Sequence, residues 1–353
     1  MYKYEHFIPE NMAPVGAKKI VVYDANDNKV LGVPLGSIAP MQTTKLYSFC
    51  ALSDVHITYD TANTDFQRAL SFAENNCDFT CICGDLTSDG SDSQMAQYKN
   101  IVDTYAKTKP VYAISGNHET CTGLYMTSER IQPYTGHGLY YSFTRGDDVF
   151  IMLGHYGKDH SSGNGDWSSN EFISVEELQW LYETLEANRN KRCFIFHHVL
   201  PHEHEVGNAK GLYKSALIFD TKDSGTGQAF ISLLRHYKNT VFFHGHSHIR
   251  FWLQELDKKA NYSDANGYRS IHIPSLSVPR DLSADGTVLE PIYAESEGYV
   301  VDVYSDCIVL KGRDFIDNAN DGHWLPVATY RIDTTLQNIE SDTFTDTTGK
   351  ITK

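Results

Sequence analysis

Five apolar runs of strand-like composition each end in a short polar cluster, and this recurrence constrains the fold of the chain more than any other feature. Leu46 to Leu52 leads into Asp54-Val55-His56, and Phe79 to Cys83 into Gly84-Asp85. Val111 to Ile114 leads into Gly116-Asn117-His118-Glu119, Cys193 to Phe196 into His197-His198, and Val241 to Phe243 into Gly245-His246-Ser247-His248. Short apolar runs closed by glycine and polar residues read as buried strands. In an open α/β sheet, binding groups gather outside the carboxyl ends of the strands. Clusters spread over nearly two hundred positions are therefore expected to meet at one place.

The residue types at that place suit metal ions. Carboxylate oxygens and imidazole nitrogens together favour zinc, manganese, iron or cobalt, whereas an all-oxygen set would favour magnesium or calcium. A pair of ions about 3.5–4 Å apart needs a shared carboxylate. Asp85 is the natural bridge, because it stands alone after Gly84, where glycine lets the backbone approach closely. Asn117 offers an amide oxygen. Asp54 and His56 are two apart, so in a straight strand both face the same side, and so do His246 and His248. Any one of the sixteen histidines is more readily a surface or core residue. His6, His137, His236, His272 and His323 are read that way, and His244 as structural. Only the joint pattern argues for a site.

Between these runs the pattern is helical. Thr64 to Asn75 carries Phe66, Ala69, Leu70 and Ala73 at helical spacing, and Ser93 to Lys107 repeats the theme with Met95, Tyr98, Ile101, Val102 and Tyr105. Ser174 and Glu177 form a capping box ahead of Leu178, Leu181 and Leu185, and Gln228 to Tyr237 is a further helix. Tyr140 to Leu153 reads as a hairpin around Arg145-Gly146-Asp147. After His248 the pattern turns to β: Ser270 to Ile273, Tyr299 to Tyr304, Cys307 to Lys311 and Val327 to Ile332. Strand–helix alternation followed by antiparallel strands implies an α/β (α+β) fold of two stacked sheets with helices outside. Three parts are expected. Residues 1–42 form a small N-terminal β arm or half-sandwich around the turn Asn26-Asp27-Asn28, able to lean on the main domain or on another chain, with self-association through it as one outcome. Residues 43–335 form the main domain, and residues 336–353 a loose polar tail.

Charge narrows the partners. With 45 acidic against 30 basic residues, the net charge of −15 argues against broad nucleic-acid binding. An anionic substrate would need local attraction. No run approaches membrane-spanning length, the N-terminus lacks a signal-peptide pattern, and the seven cysteines have no CxxC spacing. A reducing, cytoplasmic setting is the expectation.

The ordered set DVH at 54–56, GDLTSDG at 84–90, GNHE at 116–119, HH at 197–198 and GHSH at 245–248 resembles the calcineurin-like metallophosphoesterase superfamily. The resemblance runs from about Lys45 to about Ile332. It implies a four-layer α-β-β-α sandwich of two mixed sheets. It also implies two divalent or mixed-valence ions, with Mn, Fe and Zn as candidates. Asp54, His56 and His248 would hold the first metal, Asn117, His197 and His246 the second, and Asp85 both. His197 is taken because it directly ends its apolar run, with His198 as the alternative. His118 would be no ligand but would face the substrate, and either protonate the leaving oxygen or stabilise the transition state during in-line attack by a metal-bridging hydroxide. Purple acid phosphatases lack the histidine of DVH and carry a tyrosine where this chain has Ser88. The 5′-nucleotidases carry a large further domain, whereas only about a hundred residues follow His248 here. GDLTSDG looks most like bacterial phosphodiesterases. The resemblance thus implies a hydrolase of small phosphoesters, a phosphodiesterase ahead of a phosphomonoesterase, with a non-catalytic scaffold as the rival class. Asn117, His118, Arg280, His155 and Tyr156 are the candidate substrate contacts, and the loops Gly157–Asn170 and Pro201–Thr226 are expected to overhang the metals.

Overall fold

In the computed structural model, which describes residues 19–23, 29–34, 44–58, 61–121, 124–157, 173–199, 226–256, 261–286, 288–316, 323–336 and 344–352, the apolar runs form two six-stranded sheets. Strands β1 (Lys19–Tyr23) and β2 (Lys29–Pro34) pair antiparallel. The first large sheet contains β3 (Tyr47–Leu52), β4 (Phe79–Cys83) and β5 (Val111–Ile114), which run parallel. It is completed by the late antiparallel strands β14 (Glu297–Val303), β15 (Cys307–Asp314) and β16 (His323–Asp333), in the order β16-β15-β14-β3-β4-β5. The second sheet holds the hairpin β6 (Tyr140–Arg145) and β7 (Asp148–Leu153), then β8 (Cys193–His197), β9 (Thr240–His244), β10 (Tyr262–Ser263) and β11 (Arg269–His272). Its order is β10-β11-β9-β8-β7-β6, with β7, β8, β9 and β11 parallel.

Period-two alternation sorts the side chains into layers. Phe49 and Ala51 of β3, Phe194 and Phe196 of β8, and Val241 and Phe243 of β9 face the other sheet. Phe49 stacks on Phe79 with ring centres 5.4 Å apart and meets Phe150 edge-on at 5.3 Å, so the inter-sheet layer is largely aromatic. The opposite faces meet helices. Cys50 and Leu52 pack under α1 (Ala62–Asn76), α2 (Asp92–Tyr105) and α3 (Ser128–Thr135). Ile151, Ile195 and Phe242 pack under α4 (Val175–Ala187) and α5 (Thr226–His236). Each α1 or α2 position read as apolar at helical spacing and now buried adds about 1.5–3 kcal/mol for a large side chain. At α4 the Ser174 side chain accepts the Glu177 N–H at 3.1 Å, as the capping box requires.

Several elements were not anticipated from sequence. These are α3, the short helix α6 (Phe251–Leu256), the two-residue strand β10, and the hairpin of β12 (Arg280–Leu282) and β13 (Leu289–Pro291). The last residues also differ from expectation. Residues 344–352 dock on the second helical layer, where Phe344 and Ile351 are buried, and Thr352 N–H donates to Gln179 Oε1 at 2.8 Å. Burial of these two apolar side chains and the bonds between Gln179 and Thr352 anchor the segment. Most of the loops at 157–170 and 201–226 lies outside the described residues. All seven cysteines are thiols, six of them buried. Among the described residues, no helix is long and apolar enough to cross a membrane.

Candidate metal centre

The carboxyl ends of β3, β4 and β5 in one sheet and of β8 and β9 in the other open at the same end of the sandwich, and the five polar clusters meet there. The strands stop before the functional residues begin. Asp54 and His56 are not on a straight strand. Their backbones are left-handed, with φ of 53° and 48°, as are those of Asp85 (49°), His246 (73°) and His248 (59°). Each such non-glycine residue costs about 1–2 kcal/mol, and paired backbone bonds offset the cost. Asp54 N–H donates to Gly84 O at 3.1 Å, His56 N–H to Asp85 O at 2.9 Å and Ile57 N–H to Leu86 O at 3.1 Å, locking the first two clusters together. Gly84, with φ of 82°, is required because a Cβ there would stand 2.7 Å from the His198 side chain. At Gly245 a Cβ would collide with Ser53 Oγ and lie 2.7 Å from Asp54 Oδ2.

The two buried carboxylates are arranged alike. Asp85 Oδ1 accepts the His118 N–H at 2.9 Å, which leaves Oδ2 facing His198 Nε2 at 3.1 Å and His56 Nε2 at 3.5 Å. Asp54 Oδ2 accepts the His246 N–H at 3.1 Å, which leaves Oδ1 facing His248 Nε2 at 3.0 Å and His198 Nε2 at 3.7 Å. In each residue one oxygen anchors the loop and the other enters the centre.

The histidines are oriented from behind. His198 Nδ1 lies 2.6 Å from the Cys83 carbonyl and His248 Nδ1 lies 3.1 Å from the Val278 carbonyl. A carbonyl only accepts, so both Nδ1 atoms carry the proton and Nε2 is directed inward, the usual arrangement behind a metal-binding imidazole. The expectation of His197 is corrected here. On β8, Phe194 and Phe196 face the other sheet, so His197 falls on the helix side, where its ring lies 6.1 Å from Phe230 and its Nδ1 accepts the Val199 N–H at 3.2 Å. One residue on, His198 returns to the inner side.

Two groups of donors result. Asp54, His56, Asp85 and His248 form one, and Asp85, His198 and His246 the other, with the donor atoms of each group within 4.8 Å of one another and every residue buried. Asp85 belongs to both, through the one oxygen that its bond to His118 leaves available. The electrostatics agree with a cation pair. Burial opposes ionisation of Asp54, yet His248 and His198 hold its pKa below the carboxylate range. Burial likewise opposes ionisation of Asp85, which His198 and His118 pull down. Burial, then His118, keeps His56 neutral; burial, then His198, depresses His246 to about 3. Against burial, Asp85 and Asp54 raise His198 to about 9, and it is this proton that an ion would displace. Anionic carboxylates and inward lone pairs fit divalent ions.

The remaining candidates are distributed around these groups. Asn117 is buried where β5 ends, before a 3-10 turn at His118–Thr120. His118 is the most exposed imidazole of the centre, at 26% for its side chain; its Nε2 is 3.9 Å from Asp85 Oδ2 and its ring 4.5 Å from that of His56. His155 is buried, its N–H bonded to Ser115 O at 3.0 Å, and it is kept neutral by burial and then by His197 and His198. Tyr156 is half-buried and stacks on the exposed Tyr125 with ring centres 4.9 Å apart. Arg280 enters through its backbone, its N–H donating to His248 O at 2.7 Å. Two contributors were given no role from sequence. Glu119 is fully buried and accepts from Thr87 N–H (2.8 Å), Thr87 Oγ (2.9 Å) and Gly116 N–H (2.7 Å), joining the second cluster to the third. His272, read as an ordinary core or surface residue, bonds Ser247 Oγ at 2.8 Å between His246 and His248.

Known proteins bear on this arrangement. Among solved structures, a dimetal phosphatase from Danio rerio is similar over 83% of this chain and 100% of its own length, with 16% identity and a TM-score of 0.56. GAP50, described as the anchor in the inner membrane complex of Plasmodium, is similar over 84% of this chain and 91% of its own, with 12% identity and a TM-score of 0.51. At such identities the likeness is one of fold. No curated protein matches the sequence. The sequence model of one family matches residues 47–250, more than half of the chain, from the first residue of β3 to two residues past His248. Every one of the five clusters falls inside that span, and the chain belongs to the calcineurin-like phosphoesterase family.

Proposed function

We propose that the chain hydrolyses small phosphoesters at a two-metal centre and prefers diesters to monoesters. The observation that carries the reading is Asp85 Oδ2, shared by both donor groups and flanked by His118, a partly exposed imidazole beside two buried ones. Asp54, His56 and His248 would hold one ion, Asn117, His198 and His246 the other, and Asp85 both. Manganese, iron and zinc suit this donor set. When bound, such ions neutralise phosphoryl oxygens and supply an activated water.

The chain's own residues position and protonate. The backbone bonds to Asp54 Oδ2 and Asp85 Oδ1 fix the inward oxygens. His118 Nδ1 lies 2.7 Å from the Ser88 carbonyl, so the proton there is committed and Nε2 is the atom that delivers a proton to the leaving oxygen. Arg280, tethered beside His248, adds positive charge toward the phosphoryl group; His155 and Tyr156 border the substrate. Preference for a diester is supported by the likeness of GDLTSDG to phosphodiesterases. A diester also carries one charge fewer into a chain with a net charge of −15.

The test compares protein loaded with manganese, iron or zinc on bis-p-nitrophenyl phosphate and p-nitrophenyl phosphate. Faster diester cleavage supports the reading. Faster monoester cleavage overturns the preference, and two bound ions without turnover on either substrate overturn catalysis in favour of a metal-stabilised scaffold.

A further inference from the structure

We infer that Gln94 is a positioning residue for His118, acting through the peptide that joins Ser88 to Asp89; the inference rests on the proposed role of His118 as proton donor. Gln94 lies in the first turn of α2, outside the five clusters. Its side-chain oxygen accepts the Ser88 N–H at 2.9 Å and the Asp89 N–H at 3.0 Å. Two N–H donors on one atom identify that atom as the amide oxygen. The carbonyl of the same peptide, Ser88 O, accepts from His118 Nδ1 at 2.7 Å. A chain of hydrogen bonds thus runs from Gln94 Oε1 through the Asp89 N–H and the Ser88 carbonyl to the His118 ring. Each bond polarises the next. The chain sets both the ring's tautomer and its direction.

The arrangement is anchored on a rigid element, since Met95, Tyr98 and Ile101 bury α2 against the first sheet. It is also separable from the metal ligands. Ser88 Oγ donates to Ile57 O at 3.0 Å, and Gly90 N–H donates to Thr87 Oγ at 3.0 Å. These bonds keep the loop in place when Gln94 is changed. Gln94 therefore bears on the direction in which His118 presents its proton more than on the ions.

The experiment replaces Gln94 with Met, of similar length but without an oxygen acceptor, and with Glu, which keeps one. Zinc-loaded variants are assayed on bis-p-nitrophenyl phosphate, whose leaving group needs little protonation, and on diphenyl phosphate, whose leaving group needs more. The expected result for Gln94→Met is a kcat loss about tenfold larger on diphenyl phosphate than on the activated ester. KM and zinc content stay at wild-type values, and Gln94→Glu recovers most of the loss. In 15N-histidine-labelled protein, the His118 Nδ1–H exchanges slowly in the wild type and faster in Gln94→Met. Equal losses on both substrates, or loss of zinc, would overturn the inference and reduce Gln94 to a loop brace. An unchanged Nδ1–H signal would overturn it as well. If the wild type cleaves neither ester, the hydrolase reading fails, while the exchange of the His118 proton still decides whether Gln94 orients the ring.

Discussion

Asp85 presents Oδ2 to Nε2 of His198 at 3.1 Å, while His197, one residue earlier, points to the other face of its strand. The two adjacent histidines should therefore respond oppositely to substitution. His198→Ala is expected to bring metal content from about two ions per chain toward one. His197→Ala should retain both and lose about 1–3 kcal/mol of stability, because it opens space beside Phe230. Asp85→Asn should weaken both sites together. Elemental analysis and thermal melts check all three; full metal content in His198→Ala would remove it from the ligand set.

His118 is expected to matter for turnover alone. His118→Asn should keep both ions and lose activity by about 10²–10⁴-fold. The loss should shrink for p-nitrophenyl esters, whose leaving groups tolerate departure without a proton. Loss of metal in this variant would make His118 a ligand instead.

Much of this was readable before the fold was known, and what was not has definite causes. The five clusters stood out because metal-binding side chains followed apolar runs, and the strands formed where those runs lay. The choice between His197 and His198 turned on the phase of β8. That strand reads Cys-Phe-Ile-Phe-His and is buried on both faces. A strand covered on both sides shows no alternation of apolar and polar residues, so its inner face carries no mark in the sequence. The left-handed backbones of Asp54, His56, Asp85, His246 and His248 were equally hidden, because aspartate and histidine do not announce positive φ as glycine does. The parts of Gln94 and Ser88 rest on backbone amides and a carbonyl, which every residue has.

A pH effect away from the centre follows from Asp65 on α1. Its side chain is buried, bonded to Thr61 Oγ at 2.5 Å and Arg68 at 3.1 Å, and burial raises its pKa to about 6 despite those partners. A carboxyl raised above its unfolded value near 3.8 binds more protons folded than unfolded. Its contribution is therefore best at low pH, falls as pH rises from about 4 to about 6, and is a penalty above that. Asp65→Asn removes the titration, so the melting temperature of the variant relative to the wild type should climb between pH 4 and pH 7. The ceiling is about 3 kcal/mol, reduced by any weakening of the Arg68 contact. A difference that does not change with pH would show that Asp65 ionises normally in the folded chain.

His248 is held from the side of the β12–β13 hairpin. The β12–β13 hairpin reaches the centre through backbone bonds on both sides of one residue: Arg280 N–H donates to His248 O at 2.7 Å, and Arg250 N–H donates to Arg280 O at 3.1 Å. The Arg250 guanidinium completes the clamp, bonding Asp281 at 2.8 Å and Glu295 at 2.5 Å from a position only 19% exposed. Charge-assisted bonds at a mostly covered site contribute more than surface ion pairs, about 1.5–3 kcal/mol. Arg250→Ala should therefore lower the melting temperature and loosen the hairpin, and with it the strained His248 backbone. Metal affinity should fall at the group containing Asp54, His56 and His248 before it falls at the other. Arg250→Lys, a point charge that cannot reach both carboxylates in a fork, should recover only part of the loss. A variant that melts lower yet binds both ions with unchanged affinity would confine the clamp to stability and separate it from the centre.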